Sequence, residues 1–135
     1  MADIPYKSVV WSLMYLVVCT RPDLSMAVSA LSTYSQAPQP EHCEAAKRVL
    51  RYVKGTVGEG LGYSPGEDLA VWGYSDASYG SDQETKKGRS GYVFLSARAA
   101  VSWGSKLQDV VVLSSTEAEY MAMGVRNGLN ADRWN

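Results

Sequence analysis

A mixed α/β fold is what this chain predicts, with a helical segment over residues 1–56 followed by strands and one helix over 57–135. Three observations predict it. Up to Lys54 the apolar residues recur at helical spacing; from Gly55 onward glycines interrupt short segments rich in strand-forming residues; beyond Ser114 the helical pattern returns.

The elements follow in chain order. Ser8 to Cys19 reads as a buried helix with Leu13, Leu16 and Val17 at helical spacing, although its β-branched content also suits a strand. Pro22 opens a second helix, with Thr20 as a cap and Asp23 favourable in the first turn. Leu24, Ala27, Val28, Leu31 and Tyr34 share one of its faces. Ala37-Pro38-Gln39-Pro40 ends that helix and starts a third, whose apolar side is Ala45, Ala46, Val49, Leu50 and Val53. After Gly55, strand character appears at Gly60–Tyr63, Leu69–Ser75, Ser90–Leu95 and Ala99–Trp103. The polar loop Gly80–Gly88 suits an antiparallel hairpin, and a last helix begins at Ser115 or Thr116.

Composition narrows the chemistry. With 135 residues, 46% hydrophobic and 20% charged, the chain is long enough for a modest core and is not a disordered segment. The net charge of -1 draws it to nucleic acid only through local patches. His42 is the single histidine, which excludes a histidine-based zinc site and a Ser-His-Asp triad. Cys19 and Cys43 lack metal-ligand spacing and read as reduced thiols. The apolar run Val9–Val18 is too short to span a bilayer, and no leader pattern marks the start, so no membrane role and a cytoplasmic or nuclear location are expected.

Two acids carry the chemical interest. Asp76 follows Val71, Trp72 and Tyr74 at the end of an apolar strand, where it can be held rigidly and still reach solvent. Ser114-Ser115-Thr116 leads into Glu117 and Glu119, which do not share a helical face. Glu117 is expected to cap or face water and Glu119 to point toward the sheet. Such a pair suits Mg²⁺, a hard ion that takes oxygen ligands and keeps several waters; the alternative is an exposed turn acid and an unrelated helix-start acid. Two-metal hydrolysis, with ions about 3.5–4 Å apart, needs more than two carboxylates. Asp82, Glu84 and Asp109 could join only by loop movement, and Asp132 lies about 20 Å along the helix from Glu119. Lys47, Arg48, Arg51 and Lys54 form one basic cluster and Lys86 and Lys87, with Arg89, another; either can contact phosphates or be solvated surface. Among aromatics, Tyr79 is the better candidate for stacking on bases, whereas Trp72 and Trp103 read as core.

Several runs resemble a known family. Ser12-Leu13-Met14-Tyr15-Leu16, Thr20-Arg21-Pro22-Asp23, Ala45 through Tyr52, Lys54-Gly55-Thr56, Gly73 through Ala77, Ser90 through Phe94, Val101-Ser102-Trp103 and Ser114 through Tyr120 occur here in the order found in the Pol polyprotein of copia-type (Ty1/copia) LTR retrotransposons. The resemblance covers residues 6–123. It implies the end of a reverse transcriptase over 1–56 and the N-terminal part of a ribonuclease H domain over 57–135, a partial fold of three antiparallel strands and a helix. It also implies cleavage of the RNA strand of an RNA–DNA hybrid by two Mg²⁺ ions held by four acids, the first two matching Asp76 and Glu119. The family's later Cys-Asp-Asn-Gln-Ser-like motif is not among these residues, so the chain by itself is expected to be inactive, with Mg²⁺ weakly held. Departures such as Ser78-Tyr79 after Asp76-Ala77, and the glycine-rich stretch after Met123, suit a domesticated remnant instead, acting as an interaction or structural subunit. On either view the helices of residues 8–54, a partner chain or self-association would cover the open side of the sheet.

Overall fold

The computed structural model describes residues 5–66, 69–78, 80 and 86–131. The chain divides into two compact units between Gly62 and Tyr63.

The first unit is helical: α1 (Tyr6–Cys19), a 3-10 turn (Pro22–Leu24), α2 (Ser25–Thr33) and α3 (Pro40–Gly55). Tyr6, Val10 and Leu13 of α1 enter a core shared with Leu24, Val28, Leu31 and Ala46. The Tyr6 hydroxyl donates to the Leu31 carbonyl at 2.8 Å, tying α1 to α2, and burial raises its pKa. Thr20 does not cap the second helix. It closes α1, its N–H donating to the Leu16 carbonyl, and the turn opened by Pro22 intervenes before α2. At the start of α3 the Gln39 N–H donates to His42 Nδ1 at 2.9 Å, and the imidazole stacks on Tyr34 with centroids 3.9 Å apart. The one histidine therefore fixes the corner between α2 and α3.

The second unit contains β1 (Trp72–Ser78), β2 (Arg89–Ser96), β3 (Ala99–Leu107) and α4 (Ser115–Ala131). The strands form one antiparallel sheet in the order β1-β2-β3, so β1 is an edge. The architecture is the mixed α/β one expected: an open three-stranded antiparallel sheet with helices. Gly60–Tyr63 forms no strand; alternate glycines offer no side chains for a neighbour to pack against. Tyr63 instead donates its hydroxyl to the Ala100 carbonyl at 2.5 Å. No helix among the described residues is long and apolar enough to cross a membrane.

Strand β1 lies three residues further along than its composition suggests. Its limits are set by β2, with pairing from Trp72↔Leu95 to Ser78↔Arg89. The register also assigns faces, because directly opposed residues project to the same side. Gly73, Ser75 and Ala77 lie with Phe94, Tyr92 and Ser90 on the side packed by α4, where Ala118 and Ala122 are each only 1% exposed. Trp72, Tyr74 and Asp76 take the other side. Trp72 is 63% exposed and Tyr74 57%, so Trp72 is not the core residue its strand pattern suggests. Trp103, opposite Val93, is half-buried.

Candidate metal and nucleic-acid site

Asp76 is the fifth residue of the seven in β1, within the strand rather than at its end. It pairs with Gly91, whose missing side chain leaves space beside the carboxylate, and it is exposed. Its Oδ1 accepts the N–H of Ala77 at 2.9 Å, which fixes the carboxylate locally.

Helix α4 starts with a reciprocal cap. The Glu117 N–H donates to Ser114 Oγ at 3.1 Å, and Glu117 Oε2 accepts the Leu113 N–H at 2.8 Å. Glu117 is thus the capping acid, as its position predicts. Glu119 does not point into the sheet: Ala118 and Ala122 occupy that face, and Glu119 beside them is exposed. A bulky carboxylate on the packed face would hold α4 away from β1, whereas alanine permits close approach.

The structure joins the elements that carry the two acids, since α4 packs on β1 and β2. Asp76 leaves the sheet on the face opposite α4, and Glu119 is exposed on α4 beside the packed face. Among the described residues no group of three or more His, Cys, Asp or Glu side chains is close enough to hold a metal. The donors that Asp76 and Glu119 offer are carboxylate oxygens that reach water, the type of ligand Mg²⁺ takes.

The basic residues fall into separate units. Lys47, Arg48, Arg51 and Lys54 are exposed on α3, away from buried Ala46, and Lys47 Nζ lies 2.6 Å from Glu44 Oε1. In the second unit Lys86 is exposed with a φ of +57°, and half-buried Lys87 donates to the Asp109 carbonyl at 2.7 Å. That bond pins the Lys87 ammonium to the loop after β3. Tyr79, Asp82, Glu84 and Asp132 lie outside the described residues.

Sequence reasoning missed Gln108. Buried at 6% exposure just after β3, it donates its backbone N–H to the Gly88 carbonyl at 2.8 Å. Its Nε2 donates to Ser90 Oγ at 2.9 Å and to the Ala118 carbonyl at 3.3 Å. A glutamine between Leu107 and Asp109 carries no periodic signal, so only the tertiary contacts reveal it.

The chain is 48% identical over 122 residues to the retrovirus-related Pol polyprotein from transposon TNT 1-94 of Nicotiana tabacum, a match covering 90% of this chain and 9% of that protein. It is 42% identical over 118 residues to the corresponding polyprotein from transposon RE1 of Arabidopsis thaliana, covering 87% of this chain and 8% of that one. It is also 47% identical over 123 residues to secreted RxLR effector protein 161 of Plasmopara viticola, covering 91% of this chain and 87% of that protein. The chain is a retrotransposon Pol-polyprotein-related domain. The sheet and helix of this Pol-related chain are consistent with the ribonuclease H-like region of a copia-type element. It spans under a tenth of the two plant polyproteins and most of the Plasmopara protein. No protein-family model matches the chain, and no solved structure matches it.

Proposed function

We propose that residues 63–135 are a ribonuclease H-like segment supplying two carboxylates, Asp76 and Glu119, to a Mg²⁺-dependent site for hydrolysing the RNA strand of an RNA–DNA hybrid. Residues 1–62, on this reading, are the end of a reverse transcriptase, whose α3 residues Lys47, Arg48, Arg51 and Lys54 meet phosphates; Lys86, in the second unit, is a separate phosphate contact. The observation that carries it is the packing of α4 on β1, which brings the two acid-bearing elements together in a chain of this family. When bound, Mg²⁺ would polarise the phosphate and favour the attacking water. Asp76, fixed by the Ala77 N–H, orients one ligand oxygen, and Glu119 presents the second from the helix. Glu117 is committed to the cap. Two carboxylates do not hold two ions, so the chain alone binds Mg²⁺ weakly and does not cut; further carboxylates must come from elsewhere.

The test is incubation of the purified 135-residue chain with an RNA–DNA hybrid and Mg²⁺, beside Asp76→Asn. No cleavage above the variant is expected, with metal affinity falling about tenfold in Asp76→Asn and in Glu119→Gln, or about 1.4 kcal/mol. Cleavage that the substitution abolishes overturns the dependence on further acids. Unchanged metal affinity in both variants overturns the site.

A second reading has its own support: the match covers 87% of the Plasmopara protein, whose name describes a secreted effector. On that reading the module is a non-catalytic interaction subunit, and a protein partner or second copy covers the exposed Trp72 and Tyr74 face. Substitution of Asp76 would then leave its biological activity intact. The nuclease reading places the chain in the cytoplasm or nucleus, with reverse transcription.

A further inference from the structure

We propose that Gln108 is a positioning residue that sets the relative placement of Asp76 and Glu119. This rests on the reading of those two acids as ligands of one divalent ion. The side-chain amide of Gln108 makes two bonds from one nitrogen, to Ser90 Oγ at 2.9 Å and to the Ala118 carbonyl at 3.3 Å. Ser90 is the β2 residue paired with Ala77, directly after Asp76. Ala118 is the residue before Glu119. A single planar amide therefore spans from the strand neighbouring one acid to the helical turn bearing the other.

Two features make this bridge rigid. The Gln108 backbone is anchored independently by its N–H bond to Gly88, so the side chain starts from a fixed point. Gly88 leaves the space the amide needs, because a Cβ there would lie 2.5 Å from Gln108 Oε1. Among the described residues Oε1 itself is buried with no hydrogen-bond partner. A buried acceptor left unpaired opposes folding. An apolar side chain of equal length would fill this site without that penalty, so what glutamine adds is orientation: it fixes the rotation and height of α4 over the sheet. Hydrophobic contact through Ala118 and Ala122 is non-directional and leaves the helix able to slide.

The experiment follows Mn²⁺ titration of the ¹⁵N-labelled full chain by NMR, reading paramagnetic broadening at the amides of Ala77 and Tyr120. In the unsubstituted chain both should broaden with one common midpoint. Gln108→Met should keep the thermal midpoint within a few degrees, raise the Mn²⁺ midpoint about tenfold and uncouple Tyr120 from Ala77. A common, unshifted midpoint in Gln108→Met overturns the positioning role while leaving the metal reading standing. Should Gln108→Met fail to fold, Ser90→Ala removes one of the two acceptors with little loss of volume, and an unshifted midpoint there has the same force. Broadening at neither amide, or at only one, in the unsubstituted chain overturns the metal reading and the positioning role with it.

Discussion

Arg21 shows how much of the first unit rests on one side chain. It is buried, and its guanidinium donates from Nε and Nη2 to the two carboxylate oxygens of Asp23 at 3.0 and 2.7 Å. The same group donates to the carbonyl and hydroxyl of Thr56 at 3.3 and 2.7 Å, and lies 5.5 Å from the Tyr52 ring centroid. It thus fastens the α1–α2 connection to the end of α3. Arg21→Ala should lower stability by about 2 kcal/mol in urea unfolding, because it leaves Asp23 and Thr56 without their donor. The hydrogen bonds from Arg21 also hold the Asp23 pKa below the usual carboxylate range. A folded pKa depressed below the unfolded one gives stability that is present above the unfolded value and is lost as pH falls through the folded one. Unfolding measured from pH 6 to pH 2 should therefore show a loss beginning below about pH 4 that Arg21→Ala largely removes. The Thr-Arg-Pro-Asp run was visible in the sequence as a helix start. That its arginine faces Thr56, thirty-five residues on, was not, since no local pattern encodes a contact at that separation.

At the scale of elements, the close approaches are what hold strand, loop and helix together. Gly88 sits where the start of β2, the end of β1 and Gln108 converge. A Cβ there would meet Ser78's carbonyl oxygen as well as Gln108 Oε1 at 2.5 Å, so backbone has to move. At Gly91 the nearest such atom is 3.9 Å away. Gly88→Ala should cost about 1–3 kcal/mol and Gly91→Ala much less, compared by thermal unfolding. The helices were the most legible elements, because the Pro-Gln-Pro punctuation and the apolar spacing of Ala46, Val49 and Val53 are local signals. Strand limits were less so. Trp72 to Ser78 pairs with Leu95 to Arg89 through a register that local composition does not contain.

For the whole molecule, on the proposed reading, charge distribution rather than total charge governs nucleic-acid contact. The net charge is -1, yet Lys47, Arg48, Arg51 and Lys54 are exposed together on α3. Glu44 offsets Lys47 and raises its pKa through their hydrogen bond, which leaves Arg48, Arg51 and Lys54 as the main phosphate contacts on the proposed reading. Hybrid binding should weaken steeply between 50 and 200 mM salt, with each contact adding about 0.9 to the slope of log affinity against log salt. Arg48→Glu combined with Arg51→Glu should reduce that slope by about 2 in fluorescence-anisotropy titrations. An unchanged slope removes α3 from the interface.

The order of elements, the relation to Pol polyproteins and the two motif-matched acids were set by the sequence itself, because periodicity, punctuation and runs such as Tyr74-Ser75-Asp76-Ala77 are local properties of a chain. Tertiary structure decided which side of β1 bears Asp76, that Ala118 and Ala122 take the packed face in place of Glu119, and that Gln108 bridges Ser90 and Ala118. Each of these depends on strand register or helix rotation, which arise only when segments distant in sequence compete for the same buried surface.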